Sequence, residues 1–300
     1  MMLPREIPCP VCGSFAYDVL YQPWRDVTDP VKLFGAASGE RGTQQIVRCQ
    51  NRDCGMVYTN PRYPDAVILQ GYEGADDQGH DTQFESRVLT FLRSLEKHDA
   101  RLPPRGSRVL DVGCAGGAFV EAARRFGYKA TGLEPSRQLA SSARARGLDV
   151  IQGTLETYQP RERYALVSLW DVLEHVTDPI ATLKACRALL EPGGILLVNY
   201  PDVGTWQAKL AGRNFWWFLS VHLHYFDRHS IRKILSETGY EVFSVRRHFQ
   251  RLEMGYLFDV ARIYSPKLAA LGLRCMPGFL KHRMIPYYAS QTTVLAHLKS

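Results

Sequence analysis

A doubly wound α/β fold is what this sequence predicts, and three observations predict it. The apolar run Val109–Val112 passes into Gly113, Gly116 and Gly117 and then into Phe119, Val120, Ala123 and Phe126 at helical spacing, which reads as a buried strand, a glycine turn and a helix. A second strand, 129–133, ends in Glu134, about 20 residues past the turn, where a carboxylate can hold a ribose diol through two charge-assisted hydrogen bonds. Beyond it, strands near 148–151, 164–170 and 194–200 alternate with helical stretches, as a sheet covered on both faces requires.

The chain has 300 residues, 45% of them hydrophobic, enough for one large core plus a small module, about two domains. Its beginning lacks the charged-then-apolar pattern of a secretory leader, and no run approaches the ~18 apolar residues of a membrane span, so a cytoplasmic setting is expected. Four of the seven cysteines suit that reducing setting as metal ligands rather than disulfides. They stand as Cys9-Pro-Val-Cys12-Gly and Cys49-Gln-Asn-Arg-Asp-Cys54-Gly, two short pairs each followed by glycine, and resemble the two knuckles of a zinc ribbon. Four thiolates satisfy a tetrahedral zinc, and with every position filled the metal would be structural, since a catalytic zinc keeps one position open for water. Buried or redox-active thiols are the alternative reading.

This module is expected over 1–62, closed by the proline-stopped Tyr58-Thr-Asn-Pro-Arg62. Residues 63–104 read as a linker and a helix leading into the sheet. A mixed loop at 63–80, with Gly71, Tyr72, Gly74, Asp76, Asp77 and Gly79, is a candidate lid over the ligand site at the glycine turn. Phe84, Val88, Phe91, Leu92 and Leu95 then form one helical stripe, and Pro103-Pro104 ends the segment.

At the glycine turn Asp111 places a carboxylate where the pyrophosphate of a dinucleotide would lie, so a cation suits the site better, although a dinucleotide oxidoreductase shares the pattern up to that point. Four motifs, Asp111-Val-Gly113-Cys-Ala-Gly-Gly117, Gly132-Leu-Glu134-Pro, Asp171-Val-Leu-Glu-His175 and Leu190-Glu-Pro-Gly-Gly194, together resemble those of class I S-adenosylmethionine-dependent methyltransferases. The resemblance covers 105–245, with Ala115 where the family usually has glycine. It implies a Rossmann-like domain over 105–300 whose seven-stranded sheet takes its last two strands from 241–249 and 292–298, the final one antiparallel. Residues 250–290, longer than a hairpin needs, point to a helical insertion over the substrate opening. The resemblance also implies S-adenosylmethionine as cofactor, its methionine part against the backbone of Gly113, Cys114, Ala115 and Gly116, its ribose on Glu134 beside Pro135, and its adenine near Thr154 and Leu155. A zinc ribbon ahead of such a domain is similar to the arrangement in deoxysugar C-methyltransferases and related small-molecule enzymes. The side chains of Cys114, Cys186 and Cys275 show no partner pattern.

Methyl transfer from a sulfonium asks for an acceptor held in line with the methyl carbon and, for a protonated acceptor, a base. Trp170 and Asp171 close the fourth strand, where open sheets bind ligands, with an N-cap of the next helix as the other reading of Asp171. His175, one helical turn on, faces the same opening as an orienting group or base, or else is a partly buried support, and Glu174 beside it reads as a loop stabiliser. The aromatic stretch 214–226 adds His222, His224 and Tyr225 to the catalytic candidates. In an extended segment its two imidazoles share a face and can take a proton from a hydroxyl or carbon acid, while a plain core strand explains the aromatics as well.

The formal net charge is +7, and 241–300 supplies nine Lys or Arg less three acids, or +6 of it. That favours an anionic acceptor such as a nucleotide-linked sugar or a pyrophosphate-bearing lipid, and basic residues among aromatics and leucines would also suit peripheral contact with a membrane surface. Nucleic acid is the competing partner, because a ribbon and a basic patch occur together there, but no basic run or base-stacking module accompanies them. A small-molecule or glycan-type methyltransferase is thus set against an RNA-modifying protein and a non-catalytic scaffold.

Overall fold

The computed structural model describes residues 3–27, 29–35, 40–73, 83–261, 265–281 and 283–299. The first part of the chain forms β1 (Tyr17–Tyr21), α1 (Pro30–Gly35), β2 (Ile46–Cys49), β3 (Val57–Thr59) and α2 (Asp65–Glu73). Helix α3 (Phe84–His98) leads into β4 (Arg108–Val112), α4 (Ala118–Arg125), β5 (Lys129–Glu134), α5 (Arg137–Ala145), β6 (Val150–Gln152), β7 (Tyr164–Trp170), α6 (Pro179–Leu189) and β8 (Leu190–Pro201). Then come α7 (Trp206–Ala211), β9 (His224–Tyr225), α8 (Arg228–Glu237), β10 (Tyr240–Glu253), α9 (Met254–Ala261), α10 (Pro266–Cys275), α11 (Gly278–Lys281) and β11 (Met284–Leu298).

Seven strands pair in the order β10-β11-β8-β7-β4-β5-β6. The pairs from β6 across to β8 are parallel, and β11 runs antiparallel to both of its neighbours, as expected for the final strand. Successive residues of the strands turn to opposite faces: Val109, Leu166, Leu197 and Leu295 pack with α3 and α4, while Leu110, Val167, Leu196 and Val294 join the core on the other side. The strands read as unbroken apolar runs because both faces are covered. The stripe on α3 docks as its spacing predicts, with Val88, Phe91 and Leu95 buried and Phe84 and Leu92 at the margin.

Two stretches differ from expectation. Of the loop expected at 63–80, residues 65–73 are helical, because Val67 and Ile68 bury against Leu33 and Phe34, and Gly71 lets the two helices approach so closely that a Cβ there would lie 2.5 Å from that of Phe34. Residues 74–80 of that candidate lid lie outside the described residues. The insertion expected at 250–290 is shorter, because β10 and β11 continue to pair as far as Glu253 and Met284, leaving the helices between 254 and 281.

A second, antiparallel sheet runs β1-β2-β3-β9 and pairs Tyr58 with His224 and Val57 with Tyr225. Through it the first sixty residues meet the segment ahead of α8. Cys9, Val11, Cys49, Cys54, Met56 and Tyr58 share one continuous core with Leu110, Leu196, Tyr200 and Phe226 of the larger sheet and its surroundings. No helix among the described residues is long and apolar enough to cross a membrane.

Candidate functional site

The carboxyl ends of β4, β5, β6 and β7 form one edge, and most of the expected residues lie along it. After Val112 the chain turns with Gly113 at φ 69°, Ala115 at φ 47° and Gly117 at φ 83°. A side chain on Gly113 would lie 2.7 Å from Val172 and one on Gly117 2.6 Å from Leu148, whereas the same position on Gly116 meets open space, as a backbone cradle for a ligand requires. Ala115 accepts a left-handed conformation that costs about 1–2 kcal/mol without glycine. Its N–H donates to Glu134 Oε2 at 2.8 Å, and the Ser136 N–H donates to Oε1 at 2.8 Å. Glu134 therefore braces the turn, and each of its oxygens keeps lone-pair capacity for a ligand. Burial raises its pKa against those two bonds.

Cys114 turns its sulfur back onto Gly132, so that its main chain alone borders the cradle. Pro135 is exposed, Thr154 accepts a bond from Thr157 in the turn after β6, and Leu155 packs on the core. Asp111 is 3% exposed, accepts a 2.7 Å hydrogen bond from Ser168, and is pushed up to about 8 by burial, against the Ser168 bond and the Arg87 charge.

Trp170 directs its ring into the helix-packed face, 4.7 Å from Phe91 and 5.3 Å from Phe119 between centroids. Asp171, at φ 54°, accepts from Asn199 at 2.8 Å and Gln291 at 2.7 Å. It does not cap the next helix, since Asp178 does so by accepting from Ala181. Two residues of this edge escaped the sequence reading. Arg87 on α3 interacts with Asp171 and Asp111, and burial lowers its pKa against their attraction. Its Nε and the Gln83 Oε1 are buried with no hydrogen-bond partner among the described residues. Their one-turn spacing at the start of an otherwise apolar stripe is the signal that could have found them.

The histidines gather beyond Asp171. Residues 171–178 are a turn rather than a helix, with the His175 N–H bonded to the Val172 carbonyl. His175 and His222 lie 4.6 Å apart between ring centroids, and their Nδ1 atoms donate to the Val221 and Trp217 carbonyls at 3.0 and 2.8 Å. His222 precedes β9 in a turn, and His224 points instead toward the Val176 carbonyl, 2.9 Å from its Nε2. Tyr225 donates to the Leu219 carbonyl. Burial lowers His175 to about 4, His224 to about 3 and His222 well below the usual histidine range. The carbonyl of Glu174 accepts from the N–H groups of Leu223 and His224, tying the turn to the aromatic segment.

The four cysteines converge, with Cys9 and Cys54 sulfurs 3.6 Å apart, Cys12 and Cys49 3.5 Å apart, and all four within 4.8 Å. Gly13 and Gly55 follow the knuckles at φ 74° and 58°. Sulfurs at about 2.3 Å from a tetrahedral zinc stand ~3.8 Å apart, so the set fits that ion. The bond to Cys54 and burial push the Cys9 thiol up, and burial brings Cys49 to about 12, values that a bound cation would reverse.

A sheet of this order, with a glycine turn braced by an acid at its carboxyl edge, is the fold of S-adenosylmethionine-dependent methyltransferases. The family profile described as "Methyltransferase domain" matches residues 84–245, more than half of the chain, and the chain belongs to that family. Among curated relatives, the ubiquinone biosynthesis O-methyltransferase of Xanthomonas axonopodis pv. citri is 36% identical over 115 residues, 35% of this chain and 47% of that protein. The protein of the same name from Vibrio parahaemolyticus is 36% identical over 108 residues, 33% and 45%. The chain thus spans less than half the length of these relatives. A methyltransferase from Thermotoga maritima (TM-score 0.50, 20% identity, 74% of this chain and 95% of that one) shares the fold. So does a chain of the complex between the Haloferax volcanii Trm112 methyltransferase activator and a methyltransferase (TM-score 0.52, 18% identity, 75% and 94%).

Proposed function

We propose that this protein transfers the methyl group of S-adenosylmethionine to a small-molecule acceptor, at oxygen or carbon. The observation that carries the reading is the row formed by the turn 113–117, Glu134 bonded to it, and Asp111 and Asp171 around the charge of Arg87. Turn amides and Arg87 suit the carboxylate of the cofactor, Asp111 its cationic part, Glu134 the ribose hydroxyls, and Thr154 and Leu155, next along the edge, the adenine. The cofactor itself supplies an electrophilic methyl on sulfur.

His175, half-buried beside the fully buried His222, His224 and Tyr225, would orient the acceptor or receive its proton. The names of the ubiquinone-pathway relatives favour an oxygen acceptor. The zinc-ribbon resemblance to deoxysugar enzymes keeps carbon in play. The basic residues of 241–300 suit an anionic sugar- or lipid-linked acceptor and peripheral contact with a membrane from the cytoplasm. Cys9, Cys12, Cys49 and Cys54 hold a structural zinc in a module over 1–62, joined by 63–104 to the transferase over 105–300. Methyl-labelled S-adenosylmethionine, offered with phenols, nucleotide sugars, polyprenyl phosphates and RNA, should label a small molecule, and label in RNA alone would overturn the reading.

A further inference from the structure

We propose that Glu174, His175 and His222 form a second metal site, separate from the four thiolates, that takes a divalent cation of the zinc type at the acceptor end of the cleft. The proposal rests on the reading that the histidine cluster faces the acceptor. One ligand atom from each of these residues lies within 4.8 Å of the others. Ligands at about 2.0–2.2 Å from zinc stand at most ~4.4 Å apart, so small side-chain rotations close the set on an ion.

The donors are prepared for that task. Each imidazole gives its Nδ1 hydrogen to a backbone carbonyl, which fixes the ring and its tautomer, the usual arrangement of a metal-bound histidine. Glu174 is an independent pointer to a ligand: it is 1% exposed, and neither carboxylate oxygen has a hydrogen-bond partner among the described residues. The carboxylate of Asp171 stands near enough to interact with it. A divalent cation would satisfy both oxygens and offset both charges. The bonds from Leu223 and His224 to the Glu174 carbonyl hold the two ligand-bearing segments together.

Two imidazoles and a carboxylate are the ligand set of catalytic rather than structural zinc, leaving a position for water or an acceptor atom. His175, the half-buried ligand, sets the side on which that position opens. An acceptor hydroxyl bound there would be made more acidic by the metal's charge and would pass its proton to solvent.

Protein loaded with zinc and dialysed should retain two metals per chain. Glu174→Gln and His222→Ala should each remove one, weakening that site by more than the ~10–100-fold lost with a supporting contact, while Cys9→Ser with Cys12→Ser removes the other. Since buried substitutions can unfold the chain, cobalt titration of the unsubstituted protein, read by X-ray absorption, gives a second measure. A nitrogen- and oxygen-ligated metal beside a thiolate-ligated one supports the proposal. A thiolate-ligated metal alone, or two metals untouched by Glu174→Gln and His222→Ala, overturns it. Both readouts are independent of methyl transfer, whose failure would show separately as absent S-adenosylmethionine binding.

Discussion

The edge proposed to hold the cofactor and the histidine cluster proposed to meet the acceptor, the cofactor end and the acceptor end of that reading, are built in different ways. At the cofactor end, one continuous strand, turn and helix supplies the cradle, and the contact from Glu134 to the Ala115 N–H spans 19 residues. At the acceptor end, side chains arrive from the turn 171–178 and the segment 214–226, held in place by a sheet strand from the first sixty residues. A site made of local backbone geometry is carried by glycine spacing. A site made of distant side chains depends on the whole core, so perturbations should spread from it more widely.

Removing the metal proposed for the four cysteines should be the largest perturbation. Structural zinc contributes on the order of 10 kcal/mol to small modules, and here Cys9, Cys49 and Cys54 lie in the same core as Leu196 and Tyr200. Chelation, or Cys9→Ser with Cys12→Ser, should unfold the first sixty residues and also lower the thermal midpoint of the remaining sheet, read by calorimetry. An unchanged midpoint would show the two regions to be independent after all.

Arg87→Ala comes next. Charge-assisted hydrogen bonds of about 1.5–3 kcal/mol translate into ~10–150-fold weaker S-adenosylmethionine binding, with zinc content unaltered. A change in metal content would break the separation of the two ends.

The pH profile should divide them further. Asp111 titrates near 8 in the free protein, so a cationic ligand that needs the carboxylate should gain up to ~10-fold in affinity per unit from pH 6 to 8 and level off above, a slope absent in Asp111→Asn. For the free protein the sign reverses: the unfolded chain gives up this proton at an ordinary carboxylate value near 4, so this residue's contribution to stability falls as pH rises from about 4 toward 8. Smallest is Ala115→Gly, which should relieve the left-handed strain and raise stability by at most ~1 kcal/mol, measured by urea unfolding.

Much of the geometry of the glycine-turn edge was legible in the sequence for the reason this contrast gives. Gly113, Gly117 and Glu134 announce themselves by spacing and fall where that spacing implies, and the four cysteines converge as their paired pattern implies. Helix α2 was not legible, because its nine residues include Gly71, whose place against Phe34 is visible only in three dimensions. Nor was the length of the β10–β11 ribbon, because its outer pairs, such as Leu252 with Ile285, are stabilised across strands rather than along the sequence. Glu174 shows the same limit: nothing in Val172-Leu-Glu-His-Val176 says that its carboxylate is buried beside His222 without a hydrogen-bond partner among the described residues.

Calorimetric titration with S-adenosylmethionine, comparing the unsubstituted chain with Glu134→Ala, tests the central claim most directly. Glu134 both braces the turn and is assigned the ribose, so losing its charge-assisted bonds should weaken binding by at least ~100-fold while the fold, read by circular dichroism, stays intact. Equal affinity in the two proteins, or no binding to the unsubstituted chain, would contradict the account.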